Sequence, residues 1–165
     1  MKKITYFIIL LILLIYIGDC AGYKPIYSSS NLQFEIAKYS IKGNKKLGNQ
    51  IYSELYNISK SNKNNPAAQS INISIKVSKD KNATAKNSAG KILGYKITLN
   101  TQIIIKDFLT NDKILNKNYT SSSSYKVQEQ HYETVKLENK TIESLLNKTY
   151  RDLLINMSEN ILIEW

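Results

Sequence analysis

The segment Ile71-Asn72-Ile73-Ser74-Ile75-Lys76-Val77 alternates strictly between apolar and polar side chains. Successive side chains of a β-strand point to opposite faces of a sheet, so this pattern predicts a strand with one buried face and one wet face. The alternation returns over residues 95–105 and, after a turn predicted at Asn111-Asp112, over residues 119–127. The short connections favour antiparallel pairing of these three strands.

Segments with a helical period lie on both sides of these strands. Upstream, apolar residues recur three or four positions apart, as on the buried face of an amphipathic helix: Leu47, Ile51, Leu55 and Ile58. A short strand ending at Gly43 precedes this helix, and its alternation slips between Ile36 and Tyr39, which a β-bulge would explain. A last, long helix is predicted from about His131 to Ile161, and its apolar stripe contains Val135, Ile142, Leu146, Tyr150, Leu153, Met157 and Ile161, beside Leu145 and Leu154.

The predicted order is therefore βαβββα. Such an order fits an α+β fold, a two-layer sandwich in which a four-stranded, mainly antiparallel sheet carries both helices on one face. The stretch from Lys79 to Lys91 is rich in small and polar residues and is predicted to be a mobile loop. We expect residues 33–165 to form a single domain.

The N-terminus has the pattern of a targeting segment. Residues 1–19 begin with two lysines and continue with an apolar run that is short for a membrane span, as in a removable signal peptide. The run ends in Ile17-Gly18-Asp19-Cys20, which resembles a lipobox, although Asp19 stands where that motif prefers Gly, Ala or Ser. We expect Cys20, the only cysteine, to carry a covalent lipid, the alternative being an inert thiol, and residues 20–32 to form a flexible leader.

The formal net charge of +10 suggests an anionic partner, such as nucleic acid, anionic lipid headgroups or a phosphorylated glycolipid. Export from the cytoplasm argues against nucleic acid. Arg151 is the only arginine, and the chain is also crowded with Asn and Ile, as in proteins from AT-rich genomes. Because arginine forks are the stronger sign of phosphate recognition, the composition favours a solubilising surface over a dedicated anion site as the explanation of the lysine excess.

The sequence offers no complete catalytic or metal site. His131 is the only histidine and has no thiol or carboxylate pair beside it. No Gly-x-Ser-x-Gly motif occurs, and Ser88-Ala89-Gly90-Lys91 lacks the first glycine and the final Ser or Thr of a phosphate-binding loop. We therefore expect a protein that is not an enzyme, with no metal and no cofactor other than the lipid on Cys20.

Three segments together resemble a known family. Cys20-Ala21-Gly22-Tyr23-Lys24-Pro25-Ile26-Tyr27 is similar to the mature start of alphaproteobacterial members of the LPS-assembly lipoprotein family LptE, also called RlpB, with Ala21 as an extra residue. The similarity continues through Gly94-Tyr95-Lys96-Ile97-Thr98-Leu99 and through Ser123-Ser124-Tyr125-Lys126-Val127, which leads into the last helix.

This resemblance implies a function at the outer membrane. Members of the family fill the lumen of the LPS-translocating barrel LptD, assist its assembly and contact lipopolysaccharide. It follows that this chain would be lipid-anchored on the periplasmic side of the outer membrane. As contacts for lipid A phosphates we predict Lys86, Lys91 and Lys96.

Two other classes remain open at this stage. One is an unrelated envelope lipoprotein that binds peptidoglycan or responds to stress and has no barrel partner. The other is a secreted hydrolase, which the missing nucleophile, base and metal set argues against.

Overall fold

The computed structural model describes residues 32–62 and 65–161. Within them the chain forms four strands and two helices in the order βαβββα. They are β1 (Phe34–Gly43), α1 (Lys45–Ser61), β2 (Gln69–Lys86), β3 (Ile92–Asp107), β4 (Lys113–Lys126) and α2 (His131–Ile161). The predicted order of elements and the α+β class are confirmed.

The four strands form one sheet in the order β1-β2-β3-β4. The last three strands are antiparallel, as their short connections predict, whereas β1 pairs with β2 in parallel. A parallel neighbour needs a crossover connection, which α1 provides. The register of β1 against β2 shifts between Ile36 and Lys38, where the alternation of the sequence slips.

A single apolar core lies between the sheet and the helices. The alternate residues of β2 and β3 that were predicted to be buried are buried except for the half-buried Tyr95, and Leu47, Ile51 and Leu55 of α1 are buried as well. From α2 the core receives Leu145, Leu146, Leu153 and Met157. Because both helices contribute to the same core, both lie on one face of the sheet, as predicted.

The turn from β1 into α1 is sterically demanding. Gly43 has φ +74°, a left-handed conformation that favours glycine, and a Cβ there would lie 2.2 Å from the carbonyl oxygen of Val77. Asn44 then caps α1, because its side-chain oxygen accepts a hydrogen bond of 3.2 Å from the backbone N–H of Leu47. The helix therefore begins where the strand must end.

Three sequence predictions need correction or adjustment. Residues 79–86, predicted as part of a mobile loop, continue β2, because their backbones pair with β3 although none of these residues is buried. Val135 is 40% exposed, so it does not belong to the buried stripe of α2. Leu32, placed at the end of the leader, is buried in the core at 2% exposure, and its carbonyl accepts a hydrogen bond from the Asn62 side chain.

Candidate functional site

The sheet face opposite the helices, which we call the open face, is polar. It carries the residues that alternate with the core positions of all four strands, and it includes the apolar Ile104. Lysines outnumber acidic residues on it: Lys38, Lys42, Lys76, Lys96, Lys106, Lys113 and Lys126 lie there with Glu35 and Asp80. The open face is therefore both hydrophilic and basic.

Side chains on the open face are tied together across strands. The hydroxyl of Ser40 donates to that of Ser74 at 3.0 Å, joining β1 to β2. The hydroxyl of Thr120 donates to Asn100 Oδ1 at 2.9 Å, and the Asn100 amide reaches Asp80 at 3.4 Å. Beside them is a hollow of about 350 Å³, to which Lys76, Ser78, Asn118 and other strand residues contribute. Short hydroxyl, amide and ammonium groups of this kind can bind sugar hydroxyls or phosphates.

A long hairpin formed by β2 and β3 extends the sheet. All residues from Lys79 to Gly90 are exposed, and the turn at its tip is held by Asn87. The Asn87 side-chain oxygen accepts hydrogen bonds from the backbone N–H of Ala89 (3.1 Å) and of Lys91 (2.9 Å). Such turns lock a short loop through local hydrogen bonds, so the tip is a structured element.

The structure brings two of the three predicted LPS-contact lysines together. Lys86 ends β2 and pairs with Ile92, so it lies next to Lys91 at the hairpin tip. Lys96 lies further along β3, on the open face between Asn82 and Ser124. Lys96 is four positions beyond Ile92 in the chain, a distance of roughly 13 Å along a strand. The three lysines therefore mark one path from the tip to the open face rather than a compact site.

The hairpin is attached to α2 by a polar cluster that the sequence did not reveal. Lys81 Nζ lies 2.5 Å from Glu138 Oε2, and the Tyr125 hydroxyl donates to the same oxygen at 2.8 Å. Lys79 Nζ is 3.6 Å from the other carboxylate oxygen. Lys81 Nζ also lies 4.3 Å from the centre of the Tyr95 ring, within the range of a cation–π contact.

This cluster, which we call the Glu138 cluster, shifts the pKa values of its members. Burial by itself raises the pKa of Glu138, but the hydrogen bonds from Lys81 and Tyr125 and the charges of both lysines lower it below its usual value. The hydrogen bond to Glu138 raises the pKa of Lys81, although burial opposes this. The ionised pair of Lys81 and Glu138 is thus favoured at neutral pH. Its position suits a structural brace, a contact that holds the β2–β3 hairpin against α2.

We expect Glu138→Gln to lower the free energy of unfolding by about 1 kcal/mol at pH 7, because it removes a charged hydrogen-bond acceptor. Since the folded-state pKa of Glu138 is lowered, its contribution is present above the unfolded pKa and is lost as the pH falls through the folded pKa. Urea titrations between pH 3 and pH 7 (roughly the carboxylate range) should therefore show a smaller loss of stability in acid for Glu138→Gln. The matched control is Glu143→Gln, on an exposed position of the same helix, and an equal effect of both substitutions would contradict the brace.

The helix layer offers a different kind of surface. A groove of about 310 Å³ lies between α1 and α2, and its lining includes Glu54, Glu143, Asn147 and Tyr150. Two carboxylates make it unsuited to phosphate groups. Within residues 32–62 and 65–161, no group of three His, Cys, Asp or Glu side chains could hold a metal ion. His131 is exposed at the first position of α2, and Cys20 lies outside the described residues.

No helix within residues 32–62 and 65–161 has the length and apolar character needed to cross a bilayer.

The arrangement described above, a four-stranded sheet with two helices on one face, occurs in bacterial lipoproteins. The chain is similar in structure to a Caulobacter crescentus protein assigned to the lipoproteins, with a TM-score of 0.52, 10% identity, and coverage of 79% of this chain and 92% of the other. Lipoprotein B of Nitrosomonas europaea gives a TM-score of 0.54 at 14% identity, covering 81% and 88%. A minor lipoprotein of Acinetobacter baumannii gives 0.51 at 14% identity, covering 74% and 91%. These likenesses show a shared fold.

No family model matches the chain, and no curated protein sequence matches it.

Proposed function

We propose that this protein is an outer-membrane lipoprotein that acts without catalysis in lipopolysaccharide transport and assembly. In this role it fills and helps to assemble an LptD-type barrel, with a lipid on Cys20 as its anchor on the periplasmic side. The observation that carries the proposal is the open face, a basic and hydrophilic sheet surface on a domain with the fold of bacterial lipoproteins. The resemblance of residues 20–27 to the mature start of LptE proteins supports it.

The apolar core of the domain lies on one face of the sheet only. A sheet whose second face carries Ser, Thr, Asn and Lys is stable only where that face stays hydrated or meets polar groups. The water-filled lumen of a large barrel is such a place, since inward-facing barrel residues are polar. Lipopolysaccharide adds sugar hydroxyls and phosphates, which match the groups on the open face.

The proposal requires a stoichiometric barrel partner. When the full-length protein is purified from its own membranes in mild detergent through a C-terminal tag, we expect a large outer-membrane barrel of the LptD family to co-purify. Depletion of the protein should lower both the level of that barrel and the lipopolysaccharide at the cell surface. Purification without a barrel, together with unchanged surface lipopolysaccharide, would instead favour an envelope binding module of another kind.

We propose that Lys86, Lys91 and Lys96 contact lipid A phosphates. Reversing all three charges with Lys→Glu substitutions should weaken lipopolysaccharide binding about tenfold or more in a pull-down at low salt, because each lost phosphate contact removes part of the electrostatic affinity. The control reverses three exposed lysines on α2, Lys136, Lys140 and Lys148, and so changes the net charge equally. Equal losses in both triple variants would mean that only the overall charge matters.

A further inference from the structure

The loop between β3 and β4, residues 108–112, presents large apolar side chains to solvent. Leu109 is 86% exposed and Phe108 is 38% exposed. Fully exposed leucines are individually common, but adjacent exposed leucine and phenylalanine at a loop tip form a small apolar point. The packing of the domain does not require these side chains, so their exposure calls for another explanation.

The loop holds this point in one conformation. The Asp107 carboxylate accepts hydrogen bonds from the backbone N–H groups of Leu109 (2.8 Å) and Thr110 (2.9 Å) and from the Gln69 side chain (3.0 Å). These bonds lower the pKa of Asp107, the hydrogen bond from Thr110 being the largest cause. Asn111, with φ +62°, completes the turn. The carboxylate is therefore directed into the loop, and the leucine is directed out of it.

Lysine side chains lie near the exposed Phe108 and Leu109. Lys38 Nζ lies 5.5 Å from the centre of the Phe108 ring, and Lys106 Nζ lies 3.3 Å from Asn111 Oδ1. Lys113 follows the loop directly. Asp107, Asp112 and Glu35 balance these charges in number, so net charge is not the attraction. An apolar tip ringed by long cationic side chains fits a bilayer surface, where leucine enters the acyl boundary and lysine reaches the headgroup phosphates.

The position of the loop in the fold indicates which partner its exposed apolar side chains contact. The backbone N–H of Phe108 donates to the carbonyl of Ser70 at 2.9 Å, and Gln69 in turn donates to the carbonyl of Gln33 at 3.0 Å. The loop therefore lies at the end of the sheet where the chain leaves the domain towards Cys20. Of the other exposed large hydrophobic residues, Leu93, Tyr132 and Val135 belong to the opposite end, where β3 and α2 begin, whereas Tyr39 and Tyr56 lie against Tyr52 on the flank formed by β1 and α1.

From these observations we infer that, while the chain is outside a barrel, its β3–β4 loop docks onto the phospholipid bilayer to which the chain is tethered, with Leu109 inserted among the lipids. The inference rests on the proposed anchor at Cys20. Cys20 and Leu32 are twelve positions apart, a span of at most about 40 Å. Burying one leucine and part of a phenylalanine gives only weak membrane affinity, which a tether that holds the loop at a high effective concentration near the bilayer converts into stable docking.

A tryptophan at the tip can report insertion directly. The chain has one cysteine, so residues 20–165, which contain every described element, can be coupled through Cys20 to a maleimide lipid in phosphatidylethanolamine–phosphatidylglycerol vesicles. Trp165→Phe removes the native tryptophan in every sample. In this background, Leu109→Trp should show blue-shifted emission that is quenched by lipids brominated in the acyl chain. The matched control, Tyr132→Trp, changes a 69% exposed residue at the opposite end of the domain and should remain unquenched.

The outcomes separate docking from anchoring. Quenching at position 109 but not at position 132 supports docking, whereas no quenching at 109, or equal quenching at both positions, overturns it. Because the tether is chemical, this result does not depend on whether the cell acylates Cys20. Circular dichroism spectra that match those of the parent chain show that the fold is retained, and both substitutions replace exposed side chains that the core does not use.

Discussion

Ile103→Ala should lower the free energy of unfolding by about 2–5 kcal/mol, whereas Ile104→Ala should cost about 1 kcal/mol. The two residues are neighbours on β3 and have the same side chain. Ile103 is completely buried against the helix layer, and Ile104 lies on the open face with partial exposure. The difference between the two losses of unfolding free energy therefore measures the contribution of core burial separately from the intrinsic strand preference of isoleucine.

Urea-induced unfolding of both variants and the parent chain measures this difference. The dependence of the unfolding free energy on urea should be similar in all three, because each exposes nearly the same surface when it unfolds. If Ile104→Ala cost as much as Ile103→Ala in the isolated protein, the open face would be packed against something, and the one-sided core would be wrong. That result would also remove the main support for a domain that presents a wet face to a lumen.

The elements that contribute to the core were predictable from the sequence. Alternation over residues 71–77 and the spacing of Leu47, Ile51 and Leu55 each report a buried face, because burial in this domain is one-sided. The end of β2 was not predictable in this way. Residues 79–86 lie beyond the buried core, so no apolar alternation marks them, and their order comes from backbone pairing with β3 and from the contacts of Lys79 and Lys81 with Glu138.

The candidate sites show the same contrast between what the local sequence predicts and what depends on tertiary packing. Lys86 and Lys91 were chosen from one segment, and they meet because the hairpin folds that segment back on itself. The Glu138 cluster joins residues 57 positions apart, from Lys81 to Glu138, and it depends on where α2 crosses the sheet. A signal did exist, since Lys79 and Lys81 fall at the positions that continue the buried face of Val77. Charged residues at such positions indicate either the end of the core or a paired charge.

Cys20→Ala should transfer the protein from the membrane fraction to the soluble periplasmic fraction, which is the largest change that we expect from any single substitution. A lipid on this residue would supply nearly all of the membrane affinity, because its acyl chains would bury far more apolar surface than Leu109 and part of Phe108 in the β3–β4 loop. The measurement is fractionation of cells followed by immunoblotting, with the mass of the mature N-terminal peptide as an independent test of acylation. Ser29→Ala, in the same predicted leader, is the matched control and should stay with the membrane.

A second measurement on the Cys20→Ala variant should distinguish the contribution of the lipid anchor from that of the folded domain. Cys20 lies twelve residues before the buried Leu32, so its loss should leave the unfolding free energy of the domain unchanged. Purified Cys20→Ala protein should also still bind the LptD-type barrel in detergent, since the open face and the hairpin are intact. A variant that has lost residues 1–19 and still stays in the membrane fraction would contradict lipidation as the anchor. A variant that becomes soluble but no longer binds the barrel in detergent would mean that the lipid contributes to the partner interface, and our assignment of that interface to the domain would be wrong.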